Sequence, residues 1–135
     1  MNPCPGLIHG LRLAARTASG IAIARLSGEL AIASSPALRD ELLGLLRRGS
    51  SRLVLDLSGV TSCDASGLAV LVGTSHRARL LGGSLSLAAL SAPADAMLHA
   101  TGLDHHLEVF PTVEAAAARV TGLRVLDATR RPAVA

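Results

Sequence analysis

The stretch from Arg52 to Leu90 constrains this chain most, because it reads as one strand, one helix and a second strand. In Arg52 to Leu57, the apolar Leu53, Leu55 and Leu57 share one face of a strand. The eleven residues Val60-Thr-Ser-Cys-Asp-Ala-Ser-Gly-Leu-Ala-Val70 follow and open a helix at Asp64. Leu68, Leu71, Val72 and Ser75 recur there at helical spacing, and Gly82-Gly83 marks the stop. Ser84 to Leu90 then alternates Ser84, Ser86 and Ala88 against Leu85, Leu87 and Ala89, as a strand with one drier face does. Such a β-α-β unit predicts two parallel strands and a right-handed crossover. It also places an acid, a hydroxyl and a glycine at a helix start, where four backbone amides lack intrahelical partners and the summed peptide dipoles favour negative charge. Asp64 suits the N-cap, Ser66 falls in the first turn, and Gly67 is expected to let another chain approach the backbone.

On either side of this unit the chain continues to alternate. Residues 1–10, with Pro3, Pro5, Gly6 and Gly10, read as a flexible lead-in. Leu11 to Ala15 and Ile21 to Leu26 are two short strands joined tightly through Thr17-Ala-Ser-Gly20, and Ser27-Gly-Glu-Leu30 ends the second. Ser35 as N-cap and Pro36 in the first helical position open an amphipathic helix, in which Leu38, Leu42, Leu45 and Leu46 form one stripe and Gly49 ends it. Pro93 to Ala100 is a short helix stopped at Thr101-Gly102, a brief strand lies around Leu107 to Phe110, and Thr112 caps a last helix whose Val113, Ala116, Ala117 and Val120 lie on one face. The expected organisation is a single α/β domain over residues 11–120, followed by a tail over residues 121–135.

Composition removes several functions. A chain of 135 residues with 50% apolar side chains buries a core without metal or disulfide support. Its only aromatic residue is Phe110, so no platform exists for stacking nucleic-acid bases. Thirteen cations against ten anions leave a net +3 spread along the chain, which describes a solvated surface rather than a nucleic-acid footprint. All thirteen cations are arginine, which excludes a lysine Schiff base and the lysine of a phosphate-binding P-loop. Cys4 and Cys63 are far apart and belong to no CxxC pair, pointing to free thiols in a reducing compartment. The N-terminus has no cation before Arg12 and no adequate apolar stretch, so no signal peptide is expected; no run approaches the ~18 apolar residues of a membrane span, and a cytoplasmic protein is expected.

The same order of elements, with Leu26-Ser-Gly-Glu-Leu30, Leu55-Asp-Leu-Ser-Gly-Val60, Cys63-Asp-Ala-Ser-Gly-Leu68, Thr101-Gly-Leu-Asp104 and Val109-Phe-Pro-Thr-Val-Glu114, resembles the STAS domain of anti-sigma factor antagonists. The resemblance runs from about Leu11 to Val120. It implies a mixed, mainly parallel sheet of four to five strands flanked by about four helices, with no catalytic centre and no cofactor. It implies a partner as well: an anti-sigma factor that is also a serine kinase, bound so that a sigma factor is released, and able to switch the antagonist off by phosphorylating the start of the second helix. The family commonly carries the phosphorylated hydroxyl directly after the aspartate, where this chain has Ala65, so Ser66 is the only hydroxyl left in the motif. An acidic residue that often follows Gly-Glu-Leu is here Ala31.

The expected partner surface comprises Glu29, Ser58, Gly59, Thr61, Asp64, Ser66 and Gly67, with Ser66 the phosphorylation site. Three of them, and Asp56 nearby in sequence, have a plainer reading as well. Asp64 is first a helix cap, Ser66 a serine that satisfies backbone amides, Glu29 an exposed hairpin charge, and Asp56 a residue that ends a strand. His99 and the pair His105-His106 lack a third ligand at metal-binding spacing. Cys63 has no basic neighbour in sequence to activate it, and the nucleophile elbow G-x-S-x-G is absent because Asp64 occupies its first glycine position. Ala65 and Ala31 also favour a second reading, a STAS scaffold subunit of a stress-sensing or lipid-transport assembly that is never phosphorylated.

Overall fold

Branched and aliphatic side chains at alternate positions draw this chain into a sheet whose two faces are covered unequally. The computed structural model describes residues 6–8, 10–18 and 21–121. Six strands, β1 (Gly6–Ile8), β2 (Leu11–Ala18), β3 (Ile21–Leu30), β4 (Arg52–Cys63), β5 (Ser84–Ala88) and β6 (Glu108–Phe110), lie side by side in chain order. The β1–β2 and β2–β3 pairs are antiparallel, and β3–β4, β4–β5 and β5–β6 are parallel. The helices are α1 (Ser35–Arg47), α2 (Ala65–Leu80), α3 (Ala92–Thr101) and α4 (Val113–Thr121), with a 3-10 turn at Leu103–His105. The α/β class and the mixed, mainly parallel sheet are as expected; the added strand is β1, in what read as lead-in, and it pairs Gly6 to Ile8 with Leu13 to Leu11. Residues 122–135, the bulk of the expected tail, lie outside the described residues, as do residues 19–20 between β2 and β3.

The main core lies on one sheet face. Leu53, Leu55 and Leu57 of β4 and Leu85 and Leu87 of β5 meet Leu38 and Leu42 of α1, Leu68 and Leu71 of α2, and Leu98 of α3. Truncating one such leucine to alanine costs about 2–5 kcal/mol, so the stripe of α1 and the alternation of β4 and β5 are where the fold's stability resides. On the opposite face, among the described residues, α4 packs through Ala116 with Val54 and Ala88, bordered by Ile23, Phe110, Val113 and Val120. Val54 between two inward leucines is explained by this second layer: β4 is buried on both faces.

Three local readings shift. The α1 N-cap position is Ser34 rather than Ser35, and Pro36 occupies the second helical position. The Ser34 hydroxyl accepts from the Ala31 amide at 3.1 Å instead of capping the helix. Strand β4 does not end at Leu57 but runs to Cys63, so Asp56 lies inside it; its carboxylate accepts from the Ser58 amide at 2.9 Å. Register explains why alternation is lost there: Arg25 faces Asp56 but Ser27 faces Gly59, and Gly28 faces Val60 but Glu29 faces Ser62, so β4 carries an extra residue at two points. Opposite, Gly28 sits at φ +102°, where a Cβ would run into the Gly10 carbonyl, the acceptor of the Glu29 amide at 2.9 Å.

Ser86 is fully buried on β5 and its hydroxyl has no hydrogen-bond partner among the described residues. An unsatisfied buried hydroxyl costs about 1–3 kcal/mol, so Ser86→Ala is expected to raise the melting temperature by roughly 2–8 °C in a thermal melt. A lowered melting temperature would show that the hydroxyl is satisfied.

Candidate partner-binding site

Where β3 and β4 end, their last pairs, Glu29 with Ser62 and Leu30 with Cys63, deliver two chain turns to one edge of the sheet. From β3 the chain makes the Ala31–Ser34 turn into α1, closed by the Ser34 amide donating to the Ala31 carbonyl at 3.1 Å and the Ser35 hydroxyl to the same carbonyl at 2.8 Å. From β4 it passes through Asp64 directly into α2. Asp64 ties the two turns together. One carboxylate oxygen accepts from the Gly67 amide at 3.0 Å and caps α2, and the other accepts from the Ile32 amide at 3.1 Å across the gap. The Asp64 amide in turn donates to the Leu30 carbonyl at 3.0 Å. Gly67 completes the joint, since a Cβ there would lie 2.6 Å from the Leu30 carbonyl oxygen.

The residues anticipated from sequence fall into two groups. Glu29, Ser58 and Thr61 are exposed, and Asp64 and Ser66 are half-buried at the same edge. Ser66 is not the helix cap: among the described residues its hydroxyl makes no hydrogen bond, and Asp64 holds the amide instead. Gly67 requires correction, because it is buried beneath Leu30 and its lack of a side chain serves packing inside this chain, not the approach of another. Gly59 is half-buried, and a Cβ there would sit 2.6 Å from Cβ of Ser27, so it too answers to the neighbouring strand. Sequence reasoning missed Ile32, which is 69% exposed on the turn that Asp64 fixes. Its signal was an isoleucine in a serine-rich turn with no strand or helix period to bury it.

The Cys63 thiol, donating weakly to the Asp64 carbonyl, is pushed up to about 11 by burial and by the Asp64 charge, which makes it a poor nucleophile. His99 lies against the Asp95 carboxylate at 3.2 Å and faces Asp104 at 3.8 Å. Its backbone bond to Asp95 and these carboxylates raise its pKa above the ordinary value. No group of three or more His, Cys, Asp or Glu side chains fit to hold a metal occurs among the described residues. No helix among them is long and apolar enough to cross a membrane.

With the geometry in place, comparison with known proteins gives consistent findings. A family model described as STAS domain matches residues 12–116. The chain is 34% identical over 84 residues to the anti-sigma-B factor antagonist of Bacillus subtilis (strain 168), a match spanning 62% of this chain and 76% of that protein. The crystal structure of an anti-sigma factor antagonist from Mycobacterium paratuberculosis is similar with a TM-score of 0.72 and 26% identity, over 82% of this chain and 93% of that one. The fold is shared as well with the antagonist SpoIIAA in its unphosphorylated form, at a TM-score of 0.70 and 19% identity over 82% and 97% of the two chains.

Two outcomes follow from the Asp64 joint. Asp64→Ala removes a cap and opens the exposed Ile32 amide to water, at a cost of about 1 kcal/mol in denaturant unfolding, most of it from the lost cap, and it speeds hydrogen exchange of the Ile32 and Gly67 amides together. Exchange that rises at Gly67 alone would break the proposed tie between the turns. In a Cys4→Ser background, alkylation of Cys63 by iodoacetamide at pH 8 should run well below that of a free thiol peptide and accelerate only as the pH rises towards 11. The raised value means that the protonated thiol is favoured by the fold, so deprotonation above pH 9 destabilises rather than stabilises the corner.

Proposed function

Because the chain belongs to the STAS domain family, and its antagonist relatives are similar over most of their length, we propose that it is an anti-sigma factor antagonist acting in the cytoplasm by binding an anti-sigma factor with serine kinase activity. It acts by occupying a surface and turns over no substrate. The proposed surface comprises Glu29, Ser58, Thr61, Asp64 and Ser66, together with the exposed Ile32 beside them. The observation that supports this reading best is the Ser66 hydroxyl: half-buried, without a hydrogen-bond partner among the described residues, and two residues from a carboxylate whose two oxygens are both engaged in holding the corner. A hydroxyl that the fold does not use is open to a kinase.

Phosphorylation there adds about −1.5 to −2 charge and three acceptor oxygens. The start of α2 tolerates an anion, so the domain stays folded. Beside Asp64, however, the phosphate concentrates negative charge on a docking surface, and like charges brought together across an interface cost several kcal/mol. A loss of about 4 kcal/mol weakens binding about a thousandfold, enough for a switch.

Affinity capture with mass spectrometry, run with and without ATP, tests this directly. A serine-kinase anti-sigma factor should be recovered without ATP, and with ATP the chain should gain one phosphate that Ser66→Ala abolishes. Recovery of a transporter ATPase or a large multi-subunit particle, with no phosphate gained, would move the chain to a scaffold role, which Ala65 at the usual phosphate position favours.

A further inference from the structure

A groove of about 560 Å³ runs between α1 and α2 from the Asp64 corner downward. Its apolar walls are Pro36, Leu43 and Val70, and the α2 side is shaped by Ser66, Ala69 and Gly73, three residues on one helical face. Gly73 is the informative one. It sits in the interior of a 16-residue helix, where glycine costs about 1 kcal/mol relative to alanine. A Cβ added to it meets nothing within 4 Å, unlike one added to Gly67 or Gly44. Nothing within the described fold requires a glycine here; what it provides is room for a backbone from outside.

Charge identifies what that backbone brings. Arg39 and Arg77 line the groove, no acidic side chain does, and neither arginine has an ion pair among the described residues. From Ser66 to Arg77 the helix rises by roughly 16 Å, or three turns. At the mouth, beside Ser66, stands the exposed Ile32. We propose that this groove receives an acidic amphipathic helix of the anti-sigma factor, its apolar side against Leu43 and Val70 and its carboxylates on Arg39 and Arg77. The inference rests on the function proposed above and deepens it. Ser66 lines the same groove, so a phosphate on it meets the acidic face of the occupant, which gives the like-charge penalty a definite partner.

The test titrates the purified anti-sigma factor identified by the capture experiment against the full chain by calorimetry. Gly73→Leu fills the groove while substituting a better helix former, so its melting temperature should hold. Its affinity should fall about tenfold or more, and that of Arg39→Glu/Arg77→Glu about a hundredfold, with wild-type binding weakened by added salt. Arg47→Glu/Arg79→Glu changes net charge equally outside the groove and should bind within about twofold of wild type. Groove variants that are folded and bind like wild type would overturn the inference while leaving the function standing. Equal losses in the two charge-reversal pairs would also overturn it, as would a dimer of this chain that Gly73→Leu dissolves. Wild-type protein that does not bind the anti-sigma factor at all would instead overturn the function, and this inference with it.

Discussion

The Asp64 carboxylate is the interaction on which the rest of the surface depends. Each of its oxygens accepts one amide, from Gly67 at the start of α2 and from Ile32 on the turn before α1, so two helices that meet no closer covalent link share one joint. Removing the carboxylate takes one hydrogen bond from each turn at once. This side chain spans the gap between the exposed isoleucine's turn and the start of α2, where the unused Ser66 hydroxyl lies, and adds to the Asp64 amide–Leu30 bond and the Leu30–Gly67 packing beneath. A surface prepared in this way loses less conformational entropy when a partner arrives, which is what pre-organisation contributes to affinity.

The sheet makes the joint possible. Parallel pairing of β3 with β4 delivers both strand ends to the same edge, and the two extra residues in β4 adjust how far each strand reaches. Leu30 then passes beneath Gly67, so close that no side chain fits between them. Packing below and hydrogen bonding above therefore act on the same few residues. The large leucine core under α1, α2 and α3 anchors this edge, while the thinner layer under α4 lies on the far face of the sheet.

Much of this was legible in the sequence, and the parts that were not have physical reasons. The leucine stripe of α1, the N-cap at Asp64, the glycine stop at Gly102 and the Thr112 cap on α4 all signal through local chemistry, and all four are present. Strand β4 appeared to stop at Leu57 because a register irregularity breaks the period on which a strand is read, although hydrogen bonding continues to Cys63. The Ser35 cap moved by one residue because Ser34 and Ser35 are chemically equivalent candidates, and the turn before them decides. Gly67 was read as an opening for another chain, whereas a glycine's neighbour is fixed only by tertiary contact, here Leu30. Arg39 on α1 lies far in sequence from Gly73 and Arg77 on α2, and only the packing of α1 beside α2 makes them one groove.

The account's central claim is that the partner grips the edge organised by Asp64 and the face of α1 and α2 that descends from it. Amide chemical-shift mapping of the isotopically labelled chain, titrated with its unlabelled anti-sigma factor, tests this most directly. Shifts concentrated at Ile32, Ser62, Ala65, Ser66 and Gly73, with the far face at Arg16, Ile23 and Glu114 undisturbed, are the predicted result. Shifts centred on that far face, beside α4, would contradict it.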